Sequence, residues 1–220
     1  MSEPQPLSID LYWSFRSPYS YLVTPKIVEL GKAYHVDVNV RVVYPLAVRT
    51  PDFFETNDPL WISYMLRDIV RIAEIEQIPL GMPQPDPVVQ DIVTREIAAD
   101  QPHIFRLVRL GALAAEQGIG LDFIYEVSTL IWSGKVNWTE GSYLEDAVAR
   151  AGGDLAAMDQ EIITRESELE AAIDANHADQ RAAGHWGVPL MVFNGEPFFG
   201  QDRIEALIWR MKQHGLTTRS

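Results

Sequence analysis

The stretch SFRSPYSYL (residues 14–22) follows directly on an apolar run, LSIDLYW (residues 7–13). The β-branched and aromatic content of that run predicts a strand. Ser17 then has the side chain of a helix N-cap, and Pro18 fits the first helical position, where its missing N–H costs nothing. A strand end, a turn and a capped helix therefore meet at Ser17. Ser17 and Ser20 have the spacing of a C-x-x-C redox pair, yet the 220-residue chain contains no cysteine. The layout suits thiol chemistry, and the thiol is missing.

Outward from this stretch the chain reads β-α-β. YSYLVTPKIVELGKAY (19–34) places Tyr21, Leu22, Ile27, Val28 and Leu30 at helical spacing, and Pro25 inside it predicts a kink or break. HVDVNVRVVYPL (35–46) alternates as a strand, with Val36, Val38, Val40 and Val42 on one face. At the other end of the chain, VPLMVF (188–193) and EPFFG (196–200) are separated by Asn194-Gly195, a strong hairpin signal. QDRIEALIWRMKQHG (201–215) is an amphipathic helix with Ile204, Leu207, Ile208 and Met211 on one stripe and Asp202 in its first turn.

The middle of the chain, about residues 52–182, is helical in period with almost no strand signal. DPLWISYMLRDIVRIAEIEQ (58–77) repeats Trp61, Met65, Ile69 and Ile72 or Ala73 at three and four. QPHIFRLVRLGALAAEQ (101–117), LDFIYEVSTLIWSG (121–134), TEGSYLEDAVARAG (139–152) and the run 154–183 follow. The proline-rich IPLGMPQPDPV (78–88) reads as an ordered loop or an extended lining segment. Strands at both ends with helices between them predict one α/β layer interrupted by a helical insertion.

Composition narrows the function. Hydrophobic residues make up 47% and charged residues 22%, as in an ordinary globular protein. No apolar run approaches the roughly 20 residues that cross a bilayer. The start, MSEPQPLS, lacks a basic and an apolar signal region, so a cytoplasmic location is expected. A net charge of −13 argues against nucleic acid, whose binding needs clustered Lys and Arg, and against an anionic membrane surface. The five histidines show no metal-ligand spacing, and no metal site is expected. Without cysteine, thiol–disulfide exchange by the chain itself is ruled out.

Two further features mark a site. Pro189 stands at the entry of a core strand, where it forfeits a ladder hydrogen bond. Gly200, Gln201 and Asp202 precede a helix, offering backbone amides and a carboxylate able to take an ammonium group.

Four segments, IDLYWSFRSPYSYL (9–22), SYMLRDIVRIA (63–73), IPLGMPQPDP (78–87) and WGVPLMVFNGEPFFGQDRIEAL (186–207), together resemble the 2-hydroxychromene-2-carboxylate isomerase family. This is the branch of DsbA-like proteins that includes the kappa-class glutathione transferases. The resemblance implies an α/β thioredoxin-like fold with a large all-α insertion. Residues 1–51 and 183–220 would form a discontinuous thioredoxin-like domain, and residues 52–182 the helical insertion. It also implies glutathione as cofactor, so that the missing sulfur arrives with a ligand.

By the same resemblance, Ser17 is the hydroxyl that contacts the glutathione thiol. Val188, before a cis Pro189, offers its backbone to the cysteinyl part, and Gln201 and Asp202 receive the γ-glutamyl end. Asn57, in TNDP, matches a contact near the thiol. The implied activity is that of a glutathione-dependent isomerase acting on a small molecule in aromatic-compound catabolism, as a homodimer. A kappa-like transferase and a catalytically retired binding protein are the alternatives. In one place the chain departs from the family: the segment after Asn57 is shorter and puts Trp61 where a basic residue commonly stands. Arg49, Arg67 and Arg71 are candidate substitutes, and Trp13 and Trp186 are candidate aromatic walls.

Overall fold

The computed structural model describes residues 6–50, 53, 58–91 and 96–219. Two β-strands, β1 (Leu7–Trp13) and β2 (Val36–Val42), flank helix α1 (Pro18–Ala33) and pair in parallel, as a helical crossover between them allows. A second pair, β3 (Leu190–Phe193) and β4 (Glu196–Phe199), forms the hairpin read from Asn194-Gly195. Both turn residues have positive φ, 50° and 80°, which the tight turn demands. The four strands lie in the order β2-β1-β3-β4, with β3 antiparallel to β1.

Between the strand pairs run α2 (Leu46–Arg49), α3 (Pro59–Glu76), α4 (Ile104–Glu116), α5 (Gly120–Trp132), α6 (Tyr143–Arg150), α7 (Leu155–Thr164) and α8 (Glu166–Ala182). The run 154–183 is thus two helices, broken at Arg165. That side chain reaches Glu116, Glu161 and Glu168. Helix α9 (Ile204–Gln213) closes the chain. It starts after Arg203, so Asp202 lies before the first turn and Glu205 is its acidic residue. Helix α1 continues through Pro25 as one element.

Strand alternation sets what each sheet face touches. Ile9, Leu11 and Trp13 of β1 join Met191, Phe193 and the α9 residues Ile204, Leu207 and Met211 in the large core. That core continues without interruption into α4 and α5 through Leu107, Leu110, Phe123 and Val127. Tyr12, Val43 and Leu190 form a smaller cluster, against which Val188 packs. The fit is close at Gly111, where a Cβ would lie 3.0 Å from Val42 and 3.1 Å from Phe15. The Ile69–Ala73 end of the predicted α3 stripe is buried, while Trp61 at its start is 41% exposed.

Candidate active site

The backbone places the first helix turn before any side chain acts. Ser17 N–H donates to Ser14 O at 3.1 Å, which closes the turn after β1. Ser17 is the N-cap of α1, and its Oγ accepts from Ser20 N–H at 3.2 Å. The indole of the fully buried Trp13 ties this turn to the core: its Nε1–H is shared between Ser20 O and Thr24 Oγ1, both at 3.0 Å. Trp13 is therefore core. Pro18 has no N–H and that of Ser20 is capped. The Tyr19 N–H is left as a first-turn amide without a partner among the described residues.

The sheet register brings a second segment to the same point. Tyr12 faces Leu190 across the antiparallel pair, so continuing the register carries the chain before β3 past the β1 end. The Val188–Pro189 peptide is cis, and Ser17 Oγ lies 3.4 Å from Val188 O, a long hydrogen bond. The Val188 N–H has no partner among the described residues.

Pro189 O accepts from Gly200 N–H at 3.0 Å, which ties the β4–α9 turn to this loop. Gly200 has φ 109°, and Asp202 Oδ1 folds back over it. Gln201 and Asp202 leave their backbone N–H groups unpartnered among the described residues, while the Asp202 carboxylate takes Arg203 at 2.8 Å. The charge of Asp202 reaches Tyr19, whose hydroxyl donates to Asp68 at 2.9 Å. Burial first, and then that hydrogen bond, push the Tyr19 hydroxyl well above its ordinary value.

The structure thus brings the segments carrying Ser17, Val188, Pro189, Gln201 and Asp202 side by side. Asn57 lies outside the described residues. Ser20 is fully buried and its Oγ has no partner among the described residues, so it packs.

Three contacts escaped the sequence. Arg16 forks onto Asp86 at 2.8 and 2.9 Å and reaches Gln90 at 3.1 Å. This latches the proline-rich segment against the residue before Ser17. The segment is itself pinned, by Gly81 N–H to Trp132 O at 2.7 Å and by Trp138 Nε1–H to Pro85 O at 2.8 Å. Asp68 holds Tyr19 from α3. Gln180 of α8, 0% exposed, donates from Nε2 to Gly187 O at 2.7 Å. None of these partners lies within 40 residues in sequence except Gln180 and Gly187, and no local pattern marks them.

The candidate substitute cations fare differently. Arg71 pairs with Asp68 at 3.1 Å, and Arg67 is exposed. Arg49 is turned to the protein, donating to Trp186 O at 2.7 Å and to Gln180 Oε1 at 3.1 Å. Trp186 is 42% exposed and lies beside Phe53, ring centroids 5.1 Å apart. Phe53, itself half-buried, in turn meets Trp61 at 5.7 Å, so the two exposed indoles flank it in one aromatic cluster.

Comparison with known proteins identifies the fold family. The DSBA-like thioredoxin domain matches residues 8–212. Among solved structures, 2-hydroxychromene-2-carboxylate isomerase is similar over 94% of this chain and 96% of its own, at TM-score 0.69 and 19% identity. A probable DsbA oxidoreductase from Streptomyces coelicolor is similar over 94% and 89%, at 0.66 and 14%. The cytosolic disulfide reductase DsbM from Pseudomonas aeruginosa, solved with GSH, is similar over 94% and 98%, at 0.56 and 14%. No curated protein matches. At these identities the solved structures establish the fold.

Proposed function

Because the chain belongs to the DSBA-like thioredoxin domain family and carries no cysteine, we propose that it takes its thiol from bound glutathione. It then works as a glutathione-dependent isomerase of the 2-hydroxychromene-2-carboxylate type, on a small conjugated acid from aromatic catabolism. The observation that carries this reading is Ser17 Oγ facing Val188, 3.4 Å from its carbonyl, with the Val188 N–H unpartnered among the described residues.

The residues present fit a peptide thiol. Val188 offers an N–H and a weakly held C=O, the pair with which an extended ligand adds a short strand. Ser17 donates its hydroxyl proton to the sulfur, and the Tyr19 N–H adds the positive end of α1. A free thiol, of pKa about 8.5, is only slightly ionised at neutral pH, and such donors favour its thiolate. Bound glutathione supplies a soft nucleophile whose reversible conjugate addition lets a C=C bond rotate as a single bond. Gln201 and Asp202 hold the γ-glutamyl end through two amides without a partner among the described residues and through the Asp202 carboxylate, which Arg203 already contacts at 2.8 Å. Asn57 is assigned a contact near the sulfur.

One observation favours a second reading, a binding protein without turnover. Arg49 is engaged by the loop and Arg71 by Asp68, and by the resemblance Trp61 stands where the family commonly carries a cation. Calorimetric titration with glutathione, following thiolate absorbance, tests both readings. Binding with a lowered thiol pKa, together with cis–trans turnover of a conjugated acid at constant glutathione, supports the isomerase. Binding without turnover supports the second reading, and consumption of glutathione makes the protein a transferase. A wild type that does not bind glutathione refutes the proposal.

A further inference from the structure

The loop from Trp186 to Pro189 has its carbonyls divided unequally. Trp186 O is held by Arg49 at 2.7 Å, Gly187 O by Gln180 at 2.7 Å and Pro189 O by the Gly200 amide at 3.0 Å. Only the Val188 carbonyl is left to a long contact, from Ser17. The Gly187 N–H is also used, donating to His185 Nδ1 at 2.9 Å. Gly187 lies so close to Phe199 that a Cβ would meet its ring at 2.5 Å. Every neighbour of Val188 is fixed, and Val188 itself is offered.

Arg49 and Gln180 meet at the centre of this arrangement, joined at 3.1 Å. Arg49 makes no ion pair among the described residues, and its Nε–H is enclosed without a partner. Burial, then the charge of Arg181, lower its pKa to about 10, so it remains a cation at neutral pH. A half-buried guanidinium without a carboxylate is costly unless its hydrogen bonds are made. Here two of its nitrogens serve one loop directly and through Gln180.

We propose that Arg49 and Gln180 are positioning residues, a clamp on the Trp186 and Gly187 carbonyls that presents the Val188 backbone to a peptide ligand. The ligand half of this inference rests on the glutathione reading, while the clamp itself is a property of the ligand-free protein. Loss of the clamp lets the loop wander among conformers, of which a fraction binds. If about one molecule in ten remains competent, the apparent Kd rises about tenfold. The bound thiol pKa does not move, because Ser17 and the α1 terminus set it.

The test uses Arg49→Ala, Arg49→Lys and Gln180→Glu. The last keeps an acceptor for Arg49 and loses the donor to Gly187. It therefore separates loop position from fold stability, with melting followed for each variant. Exchange of the Gly187 amide, which donates to His185 Nδ1, is expected to quicken in the ligand-free Arg49→Ala and Gln180→Glu variants, while α1 keeps its protection. Glutathione Kd is expected to rise about tenfold in both, with partial recovery in Arg49→Lys and an unchanged bound thiol pKa. Unchanged exchange at Gly187 in folded variants overturns the clamp, whether or not glutathione binds. Quickened exchange with wild-type Kd overturns its link to the ligand. A wild type without glutathione affinity removes the glutathione reading, and exchange still decides the clamp.

Discussion

Ser17 is asked to do two jobs, and a pair of substitutions separates them. Its Oγ caps α1 by accepting from Ser20 N–H at 3.2 Å, and in the proposed complex its hydroxyl donates to the ligand sulfur. Ser17→Ala removes both. Losing the cap costs about 1 kcal/mol, which for a chain of this length lowers Tm by about 2–4 °C. Losing a hydrogen bond to a charged acceptor costs about 1.5–3 kcal/mol, equivalent to raising the bound thiol pKa by about 1–2 units. Ser17→Asp restores the cap, since aspartate accepts from the same amide and its charge suits a helix N-terminus. It donates nothing, however, and sets a carboxylate against the thiolate. The aspartate variant loses the 3.4 Å contact to Val188 O but keeps the cap, so it is expected to melt above the alanine variant and to bind glutathione more weakly than it. Scanning calorimetry and a thiolate-absorbance titration read the two effects separately. If Ser17→Asp restores glutathione binding along with stability, the role of Ser17 is capping alone and the thiolate argument is wrong.

Two further outcomes follow from the packing. Gly187→Ala drives a Cβ to 2.5 Å from Phe199 and 2.9 Å from His185; overpacking of this kind costs about 1–3 kcal/mol, read as a lower urea midpoint, and a midpoint equal to wild type would show that the loop yields freely. His177, whose Nε2 accepts from Tyr44 N–H at 3.1 Å, is pushed down to about 4 from 6.5, by burial first and then by Arg49. The unfolded chain binds this proton more readily than the folded one, so the contribution is whole above pH 6.5 and is lost as pH falls toward 4. His177→Gln keeps an acceptor for Tyr44 and is expected to flatten Tm against pH across that window; a slope equal to wild type would remove His177 from the account.

Local chemistry carried much of the fold into the sequence. Alternation in 36–42, the Asn194-Gly195 turn and the Ser17-Pro18 start are each set by residues within a few positions, and the structure has all three elements there. Absence of cysteine likewise needs no coordinates to exclude exchange chemistry by the chain. Helix ends were less legible. At the break, Arg165 reaches a carboxylate as far away as Glu116, and the start of α9 after Arg203 moved Asp202 out of the helix.

What only the tertiary structure decided is where distant groups meet. Val188 reaches Ser17 because β3 runs antiparallel to β1, a pairing between segments about 170 residues apart that no period encodes. Arg16 with Asp86 and Tyr19 with Asp68 are joined in the same way. Arg49 shows the difference most plainly. As a sequence letter it is a candidate cation for a ligand, whereas in the folded chain two of its nitrogens are taken by the Trp186 carbonyl and Gln180. Elements follow from short-range backbone preference and hydrophobic period. A side chain's partner follows from the packing of the whole chain, because burial forces each polar group to accept whichever partner the fold delivers.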